Sequence, residues 1–184
     1  LQISAGLQDR VAQAYQGVVY MDFDEATMTK QGYGNYVEID PRLLPPVYIA
    51  YRTELAEVSG VFHRGLRHRF IDREPEVLDA IQAWVCMTDG VRSALEDGDV
   101  ARIGELMDRN FDTRVELGGV NDGNRELVRL ARSVGASAKL TGSGGAIIGT
   151  YTDDDMFAKL CDTCTTQGIE VVKPELAPAI EDNA

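Results

Sequence analysis

Lys139-Leu-Thr-Gly-Ser-Gly-Gly-Ala146 is a glycine-rich segment between two short apolar runs, 136–140 and 146–151. Both runs are typical of strands, so the pattern predicts a strand, a turn and a second strand. Backbone without β-carbons can approach a ligand closely. Successive N–H groups in such a loop form a concavity that suits anions, phosphate above all. Glycine-rich hairpins are also common structural turns, but this one predicts a nucleotide- or phosphate-binding site at Thr141, Gly142, Ser143, Gly144 and Gly145.

The chain on either side of this turn predicts an α+β domain. Apolar residues at helical spacing predict three helices between residues 75 and 134. After the turn, the helix Asp153–Gln167 precedes the strand Ile169–Lys173, and Val47–Tyr51 predicts a strand upstream of all of them. This order suits a split β-α-β, ferredoxin-like arrangement, in which helices cover one face of an antiparallel sheet.

The first part of the chain has a different pattern. A short helix is predicted from Ser4 or Ala5 to Tyr15, followed by the strand Val18–Phe23. Asp24–Asn35 is polar with two glycines and predicts a hairpin loop. Tyr36–Ile39 predicts the returning strand.

Composition narrows the class of protein. The formal charge of −12 over 184 residues argues against a nucleic-acid surface, and no apolar run is long enough to span a bilayer.

Three cysteines give no disulfide framework and fit a reducing, cytoplasmic location. Cys161 and Cys164 lie inside the helix predicted over Asp153–Gln167, so we predict a structural role for them. Asp153-Asp-Asp155 fits a helix start better than a metal site, and no metal-binding residue is predicted.

Several separated motifs resemble one family. Gly6-Leu-Gln-Asp-Arg10, followed by Tyr15-Gln-Gly-Val-Val-Tyr-Met-Asp-Phe23, resembles the catalytic-helix region of the GHMP sugar kinases. That superfamily is named after galactokinase, homoserine kinase, mevalonate kinase and phosphomevalonate kinase. Lys139–Ala146 resembles its C-terminal glycine-rich motif. The resemblance implies a ferredoxin-like GHMP kinase C-terminal domain.

Three further motifs are similar to glucuronokinase-like members of that superfamily. They are Leu43-Leu-Pro-Pro-Val-Tyr-Ile-Ala-Tyr51, Met107-Asp-Arg-Asn-Phe-Asp112 and Gly135-Ala-Ser-Ala-Lys139. The resemblance implies three parts: the end of an N-terminal kinase domain over 1–25, the C-terminal domain over 26–174 and a flexible tail over 175–184. Kinases of this superfamily also carry an earlier glycine- and serine-rich loop for the ATP phosphates, and nothing from Leu1 onward supplies it. The resemblance therefore implies the C-terminal half of a kinase, inactive without its N-terminal half, which is the expected partner.

The resemblance also implies roles for particular residues. Asp9 matches the catalytic aspartate and would accept the proton of the acceptor hydroxyl, although the residue type alone also fits an exposed helix carboxylate. Arg10 would contact phosphate or a sugar carboxylate, or form a surface ion pair. The cofactors implied are ATP and Mg²⁺, with the magnesium ligands expected mainly in the N-terminal half.

A basic cluster, His63-Arg-Gly-Leu-Arg-His-Arg69, stands in this otherwise acidic chain. Arginines can bind a carboxylate through two hydrogen bonds, so Arg67 and Arg69 are candidate ligands for an anionic sugar. The alternative is a solvated loop that compensates the acidic residues following it, Asp72, Glu74 and Glu76.

The function predicted from these features is phosphorylation of a sugar hydroxyl by ATP, with the anomeric hydroxyl of glucuronate as the leading substrate. Kinases of heptose phosphates or other sugars are the nearest alternative. A stand-alone ferredoxin-like ligand-binding module without catalysis is the alternative from another class.

Overall fold

A computed structural model describes residues 6–15, 17–52 and 60–175, with backbone alone for residues 60–64. The start of the first predicted helix and the predicted tail, apart from Glu175, lie outside the described residues. Contacts divide the chain into two compact units, one extending to Leu44 and the other formed by Pro45–Pro174. The predicted domain boundary after residue 25 is based on the family resemblance, whereas the two units are defined by contacts. The boundary stays a prediction.

The first unit contains a two-stranded antiparallel sheet. Its strands pair in a register that joins Val18 to Ile39 and Asp22 to Asn35. The elements are α1 (Leu7–Ala14), β1 (Val18–Asp22), α2 (Glu25–Gln31), β2 (Asn35–Ile39) and a 3₁₀ turn (Pro41–Leu43).

The prediction of a loop over Asp24–Asn35 is wrong for most of that segment, because α2 occupies it. The Asp24 carboxylate accepts the Thr27 N–H at 2.8 Å and so begins the helix. Gly32, at φ 83°, ends it in the left-handed conformation. No residue of α2 is buried, so the helix lacks the apolar stripe by which a helix is recognised in a sequence.

The second unit is built on a four-stranded sheet of order β4-β5-β3-β6, with every pair antiparallel. One crossover of four helices joins β3 to β4, and one helix joins β5 to β6. This is a split β-α-β arrangement, so the predicted α+β class with an antiparallel sheet is confirmed. The elements are β3 (Val47–Tyr51), α3 (Gly60–Ile71), α4 (Pro75–Asp97), α5 (Val100–Glu116), α6 (Asp122–Ser133), β4 (Lys139–Leu140), β5 (Ala146–Thr150), α7 (Asp154–Thr165) and β6 (Glu170–Val172).

One face of this sheet carries the core. Tyr48, Ala50 and Ile147 are fully buried, whereas Ile49 and Ile148, on the opposite face, are partly exposed. Helices α5, α6 and α7 pack against the strands and contribute residues such as Phe111, Leu127 and Leu160 to the same apolar cluster.

The edge of the sheet at β4 is closed by side chains. Only Lys139–Leu140 pairs as a strand, shorter than the predicted run 136–140. The outward N–H of Ala138 donates to Asp108 Oδ1 at 2.7 Å, and its carbonyl accepts from Arg132 Nη2 at 3.3 Å. Arg132 Nε also donates to Asp108 Oδ1 at 2.9 Å. Asp108 of α5 and Arg132 of α6 therefore bind the N–H and carbonyl of Ala138, which a further strand would otherwise bind.

The three cysteines differ in exposure, and this predicts their order of reaction. Cys86 is exposed, Cys161 is partly buried and Cys164 is 1 % exposed. Burial, together with the neighbouring Cys161, raises the pKa of Cys164 to about 11. Since the thiolate is the reactive form, iodoacetamide at pH 8 should alkylate Cys86 first and leave Cys164 unmodified, as judged by peptide mass spectrometry. All three should react in denaturant, and equal rates for Cys86 and Cys164 in the folded chain would contradict this burial.

Candidate functional site

The glycine turn, residues 141–145, closes the hairpin between β4 and β5, as the sequence predicts. Thr141 N–H donates to the Ala146 carbonyl at 3.1 Å, and the Thr141 hydroxyl donates to the same oxygen at 3.3 Å. At its other end, the Gly145 carbonyl accepts the Arg52 N–H at 2.9 Å. The ends of the turn are thereby tied to the sheet, while Thr141 and Gly142 remain exposed.

Arg114, in the last turn of α5, contacts the glycine turn from one side. Its Nη1 donates to the Gly142 carbonyl at 2.7 Å, and its Nη2 donates to the Ser143 carbonyl at 3.1 Å. One guanidinium thus orients two successive peptide groups. Hydrogen bonds from a charged donor are among the stronger ones in proteins.

Asn124, in the first turn of α6, contacts the glycine turn from a second direction. Its side chain is 1 % exposed, and its Oδ1 accepts the Gly145 N–H at 2.8 Å. A β-carbon at Gly144 would lie 2.5 Å from Asn124 Nδ2, and Gly144 has φ 152°. Glycine at position 144 is therefore required both by its backbone conformation and by the close approach of the amide.

Lys139 lies at the start of the hairpin and is half-buried, not freely solvated. Its Nζ donates to the Leu140 carbonyl at 3.0 Å. Burial, followed by the charge of Arg114, lowers the pKa of Lys139. Two basic side chains therefore adjoin the glycine turn in a chain whose net charge is −12.

Arg114 and Asn124 are site residues that the sequence motifs do not reveal. Arg114 is an ordinary basic residue near a helix end, and Asn124 is a polar residue in the first turn of a helix. Asn121 accepts the Asn124 N–H at 2.7 Å, so an Asn-x-x-Asn capping pattern is the one local signal present.

Asp9 and Arg10 belong to the first unit, where both are exposed on α1. Asp9 is the third residue of the helix, and its Oδ2 accepts the Gly6 N–H at 3.1 Å. A carboxylate in the first helical turn is favoured by the helix dipole and is held at the N-terminus of the helix. Among the residues that the structure describes, Asp9 and Arg10 form no ion pair with each other, and the roles of both residues stay predictions.

The basic cluster lies on α3, so the alternative of a loop is wrong for residues 60–71. Arg67 and His68 are exposed, and the side chains of His63 and Arg64 lie outside the described part of the structure.

Arg69 pairs with the acidic residues that follow its helix. Its Nε lies 2.6 Å from Glu74 Oε2, and its Nη2 lies 3.6 Å from Glu76 Oε2. Its Nη1 donates to the Leu117 carbonyl at 3.1 Å. Compensation of neighbouring acids is therefore observed for Arg69, whereas no contact of Arg67 distinguishes between its two alternatives.

The predicted start of α7 is confirmed, because the Asp153 carboxylate accepts the Met156 N–H at 2.8 Å. Within residues 6–15, 17–52 and 60–175, no group of three or more His, Cys, Asp or Glu side chains is arranged to hold a metal ion. Over the same residues, no helix combines the length and the apolar character that crossing a bilayer requires.

Comparison with protein families identifies the domain. Residues 91–165 match the family described as GHMP kinases C terminal. The chain is 37 % identical over 183 residues to glucuronokinase 1 of Arabidopsis thaliana, covering 97 % of this chain and 50 % of that protein. It is 38 % identical over 183 residues to probable glucuronokinase 2 of the same organism, with the same coverage. The chain thus spans about half the length of the curated relatives that it matches.

Solved structures agree on the fold. Mevalonate kinase from L. major, in complex with R-mevalonate, superposes with a TM-score of 0.73 at 19 % identity, covering 96 % of this chain and 55 % of that one. Galactokinase from Lactococcus lactis, complexed with galactose, superposes with a TM-score of 0.65 at 12 % identity, covering 95 % and 55 %. The strand order, the glycine turn and the family match agree, and residues 91–165 of this chain are those of a GHMP kinase C-terminal domain.

Proposed function

We propose that this chain is the C-terminal part of an ATP-dependent sugar kinase, and that its substrate is glucuronate, phosphorylated at the anomeric hydroxyl. The observation that carries the proposal is the match to two proteins named as glucuronokinases, at 37–38 % identity over 97 % of this chain. In this proposal, residues 1–25 end the N-terminal kinase domain, 26–174 form the C-terminal domain and 175–184 form a tail. The N-terminal half, absent from this chain, is the proposed partner.

The glycine turn fits the edge of a nucleotide phosphate site. Arg114 binds the carbonyls of Gly142 and Ser143, so these carbonyl dipoles are directed away from a phosphate on the other side of the turn. A β-carbon at Gly142 would project into open space, where a ligand could approach the backbone. The Ser143 hydroxyl is a donor suited to phosphate, and the Thr141 hydroxyl would become one by leaving the Ala146 carbonyl, to which it donates at 3.3 Å.

Asp9 is proposed to orient the acceptor hydroxyl and to receive its proton. When bound, ATP supplies the γ-phosphoryl group that the hydroxyl oxygen attacks. Catalysis of such a transfer consists mainly of positioning and charge stabilisation, and a carboxylate fixed by the Gly6 N–H is suited to positioning. The Mg²⁺ ligands are proposed to lie mainly in the N-terminal half.

Basic side chains are proposed to recognise the carboxylate of the sugar acid. Arg10 and Arg67 are exposed, and each could bind a carboxylate through two hydrogen bonds. Arg69 is the weaker candidate, because Glu74, Glu76 and the Leu117 carbonyl already bind its guanidinium. Cys86, Cys161 and Cys164 are all free thiols, which supports a reducing, cytoplasmic location.

An ATP-consumption screen tests the proposed function. The protein encoded by the complete reading frame that contains this chain is incubated with uronic acids, neutral sugars and sugar phosphates, and ADP release is measured by a coupled assay. We expect ADP release with glucuronate and little with glucose, since only the former carries a carboxylate. Phosphate at the anomeric oxygen, shown by ³¹P NMR of the product, would identify the hydroxyl. Turnover confined to a sugar phosphate would contradict glucuronate, and no ADP release with any sugar would contradict a kinase.

A further inference from the structure

The direction of the N–H groups in the glycine turn follows from Arg114. The Gly142 and Ser143 carbonyls both point toward its guanidinium, at 2.7 and 3.1 Å. In a trans peptide, the N–H of the next residue points away from the carbonyl of the same peptide group. No cis peptide occurs among the described residues. The N–H groups of Ser143 and Gly144 are therefore both directed to the side of the turn opposite Arg114.

Asn124 fixes the next part of the turn independently. Its buried Oδ1 accepts the Gly145 N–H at 2.8 Å, so that N–H does not join those of Ser143 and Gly144. Its Nδ2 occupies the space where a β-carbon of residue 144 would lie, at 2.5 Å. Two side chains from two helices thus set the directions of three successive N–H groups, those of Ser143, Gly144 and Gly145.

We propose that Arg114 and Asn124 are positioning residues, which hold the N–H groups of Ser143 and Gly144 toward the phosphates of the nucleotide. The inference rests on the proposed kinase function and adds two residues to it. Neither side chain touches the phosphate. Arg114 acts through the carbonyls that it binds, and Asn124 acts through Gly145 and the shape that it imposes on Gly144. A residue of purely structural importance would alter stability without a selective effect on nucleotide binding.

Binding of ADP to the full-length protein tests this inference without any turnover. Arg114→Met removes both hydrogen bonds to the turn, while Arg114→Lys keeps the charge but loses the planar fork. Asn124→Ala removes the acceptor of the Gly145 N–H from the other helix. For Arg114→Met and Asn124→Ala, isothermal titration calorimetry should give a Kd for ADP that is raised about tenfold or more, because small misplacements of positioned groups are costly. The Kd of Arg114→Lys for ADP should lie between the values for these variants and for the wild type. Arg114→Lys replaces Arg114→Met in the test if Arg114→Met does not fold.

Two further measurements separate positioning from stability. Hydrogen–deuterium exchange of the peptide containing residues 141–145 should slow on addition of ADP in the wild type, and slow less in the variants. The KM for ATP should rise while the KM for the sugar stays within about twofold. Arg102→Met is the matched control on α5, because the one ion pair of Arg102 among the described residues is with exposed Glu105 at 3.1 Å, and this variant should bind ADP as the wild type does.

The outcomes distinguish this inference from the proposed function. A wild type that neither binds ADP nor consumes ATP overturns the kinase function, and the present inference with it. A wild type that binds ADP, combined with Arg114→Met and Asn124→Ala variants that are folded and bind it equally well, overturns the positioning role alone. Equal rises in both KM values would assign the two residues to general stability and would also overturn it.

Discussion

If the proposed kinase function holds, replacement of Asp9 by asparagine is expected to lower kcat of the full-length protein by on the order of 10²- to 10⁴-fold, the usual contribution of a positioned general base. The reason is chemical, because an amide cannot accept the proton that the sugar hydroxyl loses. The helix should not change, since the amide oxygen of asparagine can still accept the Gly6 N–H that Asp9 Oδ2 accepts at 3.1 Å. The KM values for ATP and sugar should therefore stay within a few-fold, and steady-state kinetics with both substrates measures the split.

A matched variant separates the role of Asp9 from the general effect of removing a helix carboxylate. Glu25 also lies in the first turn of a helix in the first unit, and it is exposed. Glu25→Gln removes one carboxylate charge from the first turn of α2 and should leave kcat unchanged. Equal kcat for Asp9→Asn and the wild type would remove Asp9 from the chemistry, and its part in capping α1 would then account for the residue.

Much of the second unit could be predicted because its elements have strong local signals. Val47–Tyr51 is a compact run of strand-forming residues, and it is a strand over those same bounds. The apolar spacing from Pro75 onward predicted α4, and Gly98 ends that helix at φ 69°. Each of these elements buries one face, so the sequence pattern and the packing agree.

Elements that bury little were predicted poorly. Helix α2 has no buried residue, and capping by Asp24 and Gly32 defines it more than hydrophobicity does. Helix α3 begins at Gly60 and contains Gly65, two residues that weaken a helical prediction. Local composition was therefore a poor guide where the segment gains its conformation from caps and neighbours.

Contacts between distant residues lay beyond sequence reasoning. The family resemblance drew on Met107–Asp112 and Gly135–Lys139 as separate motifs. In the structure, Asp108 of the first binds the Ala138 N–H of the second at 2.7 Å. The pairing of Arg114 with the Gly142 carbonyl spans 28 residues in the same way. Such contacts depend on how α5 and α6 pack on the sheet, which one sequence does not contain.

Replacement of Gly149 by alanine is expected to have the largest effect on stability. Gly149 lies opposite Tyr48 in the pairing of β5 with β3. The Tyr48 side chain is fully buried, and its hydroxyl donates to the Ser137 carbonyl at 2.7 Å. A β-carbon at Gly149 would lie 1.7 Å from that same carbonyl oxygen and 2.7 Å from Tyr48 Cε1. The Ser137 carbonyl and the Tyr48 ring thus occupy the space that a β-carbon at position 149 would need. Since the φ of Gly149 is not positive, packing alone requires glycine there.

A β-carbon at Gly149 would clash with the Ser137 carbonyl and with the Tyr48 ring, whose hydroxyl is hydrogen-bonded to that carbonyl. No change of rotamer relieves this clash. Overpacking of this kind costs about 3 kcal/mol or more, and the Tm of the chain should fall by about 6 °C or more.

Gly142→Ala is the control within the same hairpin, since its β-carbon would meet nothing within 4 Å and its φ is not positive. That change should leave stability unaltered or raise it by up to about 1 kcal/mol, because alanine restricts the unfolded chain. Thermal and urea unfolding followed by far-UV circular dichroism compare the two variants, and a Gly149→Ala chain as stable as Gly142→Ala would show that the sheet edge at residue 137 can move aside.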